Sequence, residues 1–203
     1  MSIIGDSYTG GSPYGGRDSR GWPALAAKQL SEDRLYIDAG VGYEGGAGYV
    51  HPGNRQGGVF GDQIPKVVRA GDQLVVFFGS RNDKNVPNDL LGEAIGQAFS
   101  EVRAAAPSAS LLVVGAPWLT AEPPREILRN RDILRAEALA AHAHFVDPID
   151  EGWFVDEPEL IGPDGVHPTD DGHAYMARKM APLIAEQLDR PSRWKTILRR
   201  VIG

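Results

Sequence analysis

The sequence has no cysteine among its 203 residues. Disulfide staples, thiolate nucleophiles and cysteine-ligated metals are therefore excluded, and the absence fits a reducing compartment. The N-terminus lacks a basic stretch followed by an apolar run, so no secretory signal is expected and the reading is a cytoplasmic protein. No apolar run approaches the roughly 20 residues that a membrane-spanning helix needs. No internal repeat is visible. Basic charge is scarce over most of the chain. Five of the 21 Lys and Arg residues fall in the last fourteen positions, leaving 16 against 27 Asp and Glu elsewhere, a net of −11. So acidic a body is a poor partner for nucleic acid, and none is expected.

What is present describes one domain of globular composition, 42% hydrophobic and 24% charged, long enough to bury a core. Glycine, 25 residues in all, is concentrated between positions 10 and 62, which predicts long shaped loops there. Continuous apolar runs predict strands at Ser2-Ile3-Ile4, "RLYIDAG", "DQLVVFFG", "SLLVVGAP" and "HFVDPI". Helical spacing predicts helices over "GWPALAAKQL", "NDLLGEAIGQAFSEVRAAA", "PREILRNRDILRAEALAAH" and "TDDGHAYMARKMAPLIAEQL". "DQIPKVVRA" is either helical or partly irregular. Strands that are apolar throughout, alternating with helices, predict a three-layer α/β/α sandwich. It is flavodoxin-like, with about five mainly parallel strands, over residues 1–189.

In such a sheet, ligands sit beyond the carboxyl ends of the strands. Four segments follow four of the expected strand ends: "GDSYT", "DAGVGYEGGAGY", "GSRND" and "GPDGVHP". Alone, Ser7 reads as a turn or cap residue, because Asp-Ser pairs serve that purpose. It becomes a nucleophile only with a base. His167 is the candidate base, and Asp164, three residues earlier, can hold one ring nitrogen in a turn and leave the other free. The competing reading is a plain Asp164-Gly165 turn ahead of the last helix. Asn82 can donate to an oxyanion, or can simply close an Asx-turn.

Taken together in this order, the four segments resemble the SGNH hydrolases, the GDSL esterase/lipase family. Gly5-Asp6-Ser7 matches its serine block, a glycine among Gly40 to Gly48 its glycine block, Asn82-Asp83 its Gly-x-Asn-Asp block, and Asp164 to His167 its Asp-x-x-His block. The resemblance spans residues 1 to about 188 and lies in the order, since each motif alone is weak. It implies that Ser7 attacks an acyl carbonyl, His167 shuttles the proton and Asp164 orients His167. It also implies an oxyanion hole from Ser7, Gly46 and Asn82. Among the second-segment glycines, "GGAGY" favours Gly46, with Gly45 and Gly40 as alternatives. "GSRND" departs from the pattern by placing Gly79 three residues before Asn82, one more than usual.

The resemblance implies a serine ester hydrolase, a carboxylesterase working through an acyl-enzyme. It needs no cofactor and no metal, and its substrate is a small-molecule ester. Short-chain acyl or acetyl esters, on carbohydrate, are the first expectation. The alternatives are an O-acyltransferase using the same site and a non-catalytic binding module. Arg81 either contacts an anionic substrate group or makes an exposed ion pair. Tyr49 and His51 either wall the pocket or pack their loop, the second being favoured. Tyr8, Tyr14 and Trp118 are expected to shape the acyl or alcohol side. His142, His144 and His173 lack ligand spacing for a metal. Residues 190–203, with Trp194, Ile197, Leu198, Val201 and Ile202 at helical spacing among basic residues, form a basic amphipathic tail. Docking on the acidic body or disorder is favoured for it over membrane contact or self-association.

Overall fold

The computed structural model describes residues 1–189, so the basic tail lies outside the described residues. Five strands form one parallel sheet: β1 (Ser2–Gly5), β2 (Gly40–Tyr43), β3 (Leu74–Gly79), β4 (Ser110–Gly115) and β5 (His144–Val146), in the order β2-β1-β3-β4-β5. The order and the parallel sense are those expected of a flavodoxin-like sheet.

The apolar runs explain the layering. Along β3, Leu74, Val76 and Phe78 enter one core and Val75 and Phe77 the other, because successive side chains point to opposite faces. The first core is closed by α2 (Trp22–Glu32) and α6 (Asp170–Asp189), through Trp22, Ala26, Leu30, Met176, Met180 and Ile184. The second is closed by α3 (Phe60–Val67), α4 (Asn88–Ala105) and α5 (Arg125–Ala140). Their buried stripes include Leu91, Ile95, Ala98 and Val102 on α4 and Ile127, Leu134 and Ala138 on α5, at the spacing expected from the sequence. A one-turn helix, α1 (Ser7–Gly10), follows β1 directly.

One strand is displaced from its expected place. The apolar run "RLYIDAG" is largely outside the sheet. Tyr36 is 82% exposed, and pairing with β1 begins only at Gly40, opposite Ser2. The edge strand is instead the glycine-rich "GVGY". Helix α3 packs so closely against it that a Cβ on Gly42 would lie 3.0 Å from Gln63 Cβ and 3.2 Å from Val67. Close packing therefore selects small residues here, and hydrophobic periodicity misses the strand. Gly40 sits at the end of the sheet away from Ser7, which removes it as an oxyanion candidate.

Candidate active site

The first block is built around a tight reversal. Strand β1 ends at Gly5, and α1 folds back so sharply that a Cβ on Gly5 would lie 2.2 Å from Thr9 Oγ1 and 2.9 Å from the Phe78 carbonyl oxygen. Asp6 caps α1: its Oδ1 accepts from Tyr8 N at 2.8 Å, and its carbonyl accepts from Thr9 N and Gly10 N. Ser7 is the first residue of α1, so its own N–H has no intrahelical acceptor.

The last block reaches the same place from the far end of the chain. Residues 160–169 form a closed loop pinned at its neck by Gly162 N to His167 O at 2.7 Å and Thr169 N to Leu160 O at 2.8 Å. Within it, Asp164 Oδ1 accepts from the backbone N–H of Val166 and of His167, both at 3.0 Å. Asp164 Oδ2 lies 2.6 Å from His167 Nδ1, and His167 Nε2 lies 3.0 Å from Ser7 Oγ. With the carboxylate accepting at Nδ1, that nitrogen carries the proton and Nε2 is left to accept from the serine hydroxyl. Partial burial alone would raise the Asp164 pKa, but hydrogen bonds from the His167 ring and the two N–H groups outweigh it and bring it to about 2. Asp164 is therefore ionised at neutral pH.

Asn82 comes from the turn after β3. Its Nδ2 donates to Asp6 Oδ2 at 3.0 Å and to the Ala47 carbonyl at 2.8 Å, so both amide hydrogens are engaged. These two bonds fasten three loops together: the serine turn, the second loop and the β3 turn. The apparent extra residue in "GSRND" also resolves. Ser80, two residues before Asn82, holds the position of the block's glycine and takes a left-handed backbone, φ +99° and ψ 4°. The block has its usual length, with serine in place of glycine.

Gly46 lies beside Ala47 in the second loop. Its carbonyl accepts from His51 Nδ1 at 3.0 Å, and its Cα faces the Asn54 side chain. Gly46 is thus joined to the rest of the site through its neighbour Ala47. The carboxylate of Asp83 organises this loop by accepting from Tyr49 N, Val50 N and His51 N at 2.9 to 3.0 Å. Burial raises the Asp83 pKa against the pull of those three N–H groups. Glu44 does the same for the following stretch, accepting from the N–H groups of Arg55, Gln56, Gly57 and Gly58.

The aromatic candidates separate. Tyr8 is buried rather than a pocket wall, and its hydroxyl donates to the Val166 carbonyl at 2.5 Å, tying the serine turn to the histidine loop. Tyr14 is 41% exposed, and its ring lies nearly parallel to the His167 ring with centroids 6.4 Å apart. Trp118 lies under the Arg81 guanidinium, 4.3 Å from guanidinium carbon to ring centroid. Tyr49 is buried in the second core, the packing role favoured for it. His173 is fully buried, accepts from Trp22 N at Nδ1, and is lowered to about 4 by desolvation. Among the described residues, no cluster of three or more His, Asp or Glu side chains could hold a metal ion.

Two residues that matter were not singled out in the sequence. Asp6 is 2% exposed, and burial raises its pKa to about 6 against the Tyr8 N–H and the charges of His167 and Arg81. Tyr43, paired with Gly5 at the end of β2, lays its ring against Gly10 of α1. A groove of about 460 Å³, lined by Leu119, Phe154, Ile161 and Pro163 among others, borders the loop that carries Asp164 and His167.

A hydroxyl able to pass its proton to an imidazole, with a carboxylate fixing that ring, at the carboxyl edge of a parallel sheet, is the equipment of a serine-type hydrolase. Within that class the chain belongs to the GDSL-like Lipase/Acylhydrolase family, whose model matches residues 3–175. It is 51% identical over 191 residues to the GDSL lipase Rv0518 of Mycobacterium tuberculosis, covering 93% of this chain and 82% of that one. Among solved structures it resembles TesA, with a TM-score of 0.73 at 20% identity, covering 92% of this chain and 98% of that one. A family two carbohydrate esterase from Clostridium thermocellum, solved in complex with cellohexaose, gives a TM-score of 0.72 at 18% identity over 92% of this chain and 63% of that one. The protein is an SGNH-type hydrolase, and these two structures share its fold.

Proposed function

We propose that the protein is a carboxylesterase that cleaves short-chain acyl esters, acetyl esters of carbohydrates first among them, through an acyl-enzyme on Ser7. The observation that carries this reading is the continuous line from Ser7 Oγ through His167 to Asp164, at 3.0 and 2.6 Å. Ser7 Oγ attacks the ester carbonyl while His167 Nε2 takes its proton. The tetrahedral intermediate collapses, the carbon–oxygen bond to the alcohol breaks, and His167 returns the proton to the leaving oxygen. Water then attacks the acyl-enzyme with His167 again as base, releasing the acid and restoring Ser7.

In this reading the oxyanion is held by the N–H of Ser7, the N–H of Gly46 and the Asn82 amide, each donor worth roughly 10² to 10³ in rate. A carbohydrate alcohol is supported by the fold neighbour solved with cellohexaose. The test is hydrolysis of a 4-nitrophenyl ester series from acetate to laurate by wild type and Ser7→Ala. Turnover that is fastest on acetate or butyrate and lost in Ser7→Ala is expected. No turnover by wild type, or full activity in the variant, rejects the esterase. A fastest laurate ester rejects the short-chain assignment. Running the acetate reaction with added xylose or cellobiose, and analysing the products for acetylated sugar, separates hydrolysis from transfer.

A further inference from the structure

Arg81, in the turn after β3, is a charged side chain that the acyl-transfer chemistry leaves without a task. Among the described residues it forms no ion pair, although the body of the chain is strongly acidic. Its Nη1 is buried without a hydrogen-bond partner, against a tight space too small to admit a water molecule, bounded by Asp6, Tyr8, Phe78, Gly79, Ala116 and Pro117. The Tyr8 hydroxyl lies within hydrogen-bonding reach of the guanidinium, and among the described residues no carboxylate pairs with it. The guanidinium carbon lies over the Trp118 ring, a contact that uses none of its donors.

Its place relative to the nucleophile is defined on both sides. Asp6 and Tyr8 flank Ser7 in the chain, and both border the same narrow space as Arg81. Asn82, the next residue along, is hydrogen-bonded to Asp6. The titratable groups that Arg81 faces are these two, Asp6 and Tyr8, and its charge favours the ionised form of each. A partly desolvated guanidinium with no anionic partner is costly unless something completes it. Its fork matches a carboxylate or a phosphate, which can accept two parallel N–H bonds.

Building on the esterase reading above, we infer that Arg81, lying over Trp118, forms an anion subsite beside Ser7, and that the preferred substrates are esters carrying a carboxylate or phosphate on the acyl or the alcohol part. Such a group aligns the ester with Ser7 by a charge-assisted bidentate contact, so the preference appears in kcat/KM and weakens with salt.

Two pairs of probes separate the side that carries the charge. Phenyl hexanoate and monophenyl adipate differ by a carboxylate at the end of the acyl chain. Phenyl acetate and 3-acetoxybenzoate differ by a carboxylate on the leaving group. The measured quantity is the ratio of kcat/KM for the anionic ester to that for its neutral partner, which does not depend on the fraction of folded enzyme. In wild type the ratio should exceed one in at least one pair. It should fall at least tenfold in Arg81→Gln, with Arg81→Lys between. A ratio at or below one in both pairs, or one unchanged in Arg81→Gln, overturns the anion subsite while leaving the esterase standing. Absence of turnover on all four esters overturns the esterase reading and this proposal with it.

Discussion

Asp6 lies beneath the nucleophile as a buried carboxylate with its pKa raised to about 6, and replacing it by Asn should change how stability depends on pH. The folded pKa lies above the 3.8 of an ordinary aspartate, so the native state binds the Asp6 proton more tightly than the unfolded chain. The stability that this supplies is fully present below the unfolded pKa and is lost as pH rises through the folded one. A shift of this size corresponds to about 3 kcal/mol at full extent, of which about 2 to 3 kcal/mol falls between pH 4 and 7.

Asn keeps the acceptor for Tyr8 N but turns an amide toward Asn82 Nδ2 in place of Asp6 Oδ2. That donor-on-donor contact costs about 1 to 3 kcal/mol at every pH. Asp6→Asn should therefore be clearly less stable than wild type at pH 4 and close to it at pH 7. The wild-type curve alone is a poor witness, because His173 titrates in the opposite sense. Its folded pKa, about 4, lies below 6.5, so its contribution is lost as pH falls through that window. His173 is common to both proteins and cancels in the difference. With a urea m-value of about 2 kcal/mol/M, the gap between the two unfolding midpoints should narrow by about 1 M from pH 4 to 7. A gap that stays flat across that range refutes the assignment of a raised pKa to Asp6.

Three further outcomes follow from the site. Asp164→Asn should lower kcat on 4-nitrophenyl acetate by roughly 10³ to 10⁴, because the wrong His167 tautomer is stabilised. Unchanged kcat in a folded variant would remove Asp164 from the mechanism. Ser80→Gly should raise stability by about 0.5 to 1 kcal/mol, relief of a left-handed serine outweighing the added chain entropy, and raise Tm by about 1 to 4 °C in calorimetry. A lower Tm would mean that the serine side chain compensates the strain. Gly16→Ala places a methyl 1.9 Å from His173 Nε2 at φ +78°, and should cost about 2 to 4 kcal/mol. Wild-type urea stability in that variant would contradict the packing described.

The order of the blocks carried most of the architecture. β3 and β4 were legible because a strand buried on both faces must be apolar throughout, and the triad because two of its members are three residues apart. Strand β2 was not legible, since its selection for small residues comes from α3, a helix 20 residues further on. The loop anchors escaped for a related reason. Asp83 serves N–H groups more than 30 positions away, and Glu44 serves a bend 11 to 14 residues downstream. Nothing in local composition marks an acid as an acceptor for a distant loop. Tyr8 was placed in the pocket by proximity to a strand end, whereas its hydroxyl is spent on Val166.

The engaged state of Asn82 bears on how the enzyme distinguishes a substrate from its reacting form. The amide hydrogen on Ala47 already has a neutral carbonyl acceptor. Turning it toward the equally neutral carbonyl of a resting ester exchanges one bond for its equivalent and gains nothing. Turning it toward an oxygen that has acquired full negative charge gains a bond roughly twice as strong. In the proposed reaction, Ala47 thus acts as a reference against which every incoming oxygen is compared. The third oxyanion donor is released only when charge has developed, and its stabilisation falls on the transition state rather than on bound substrate.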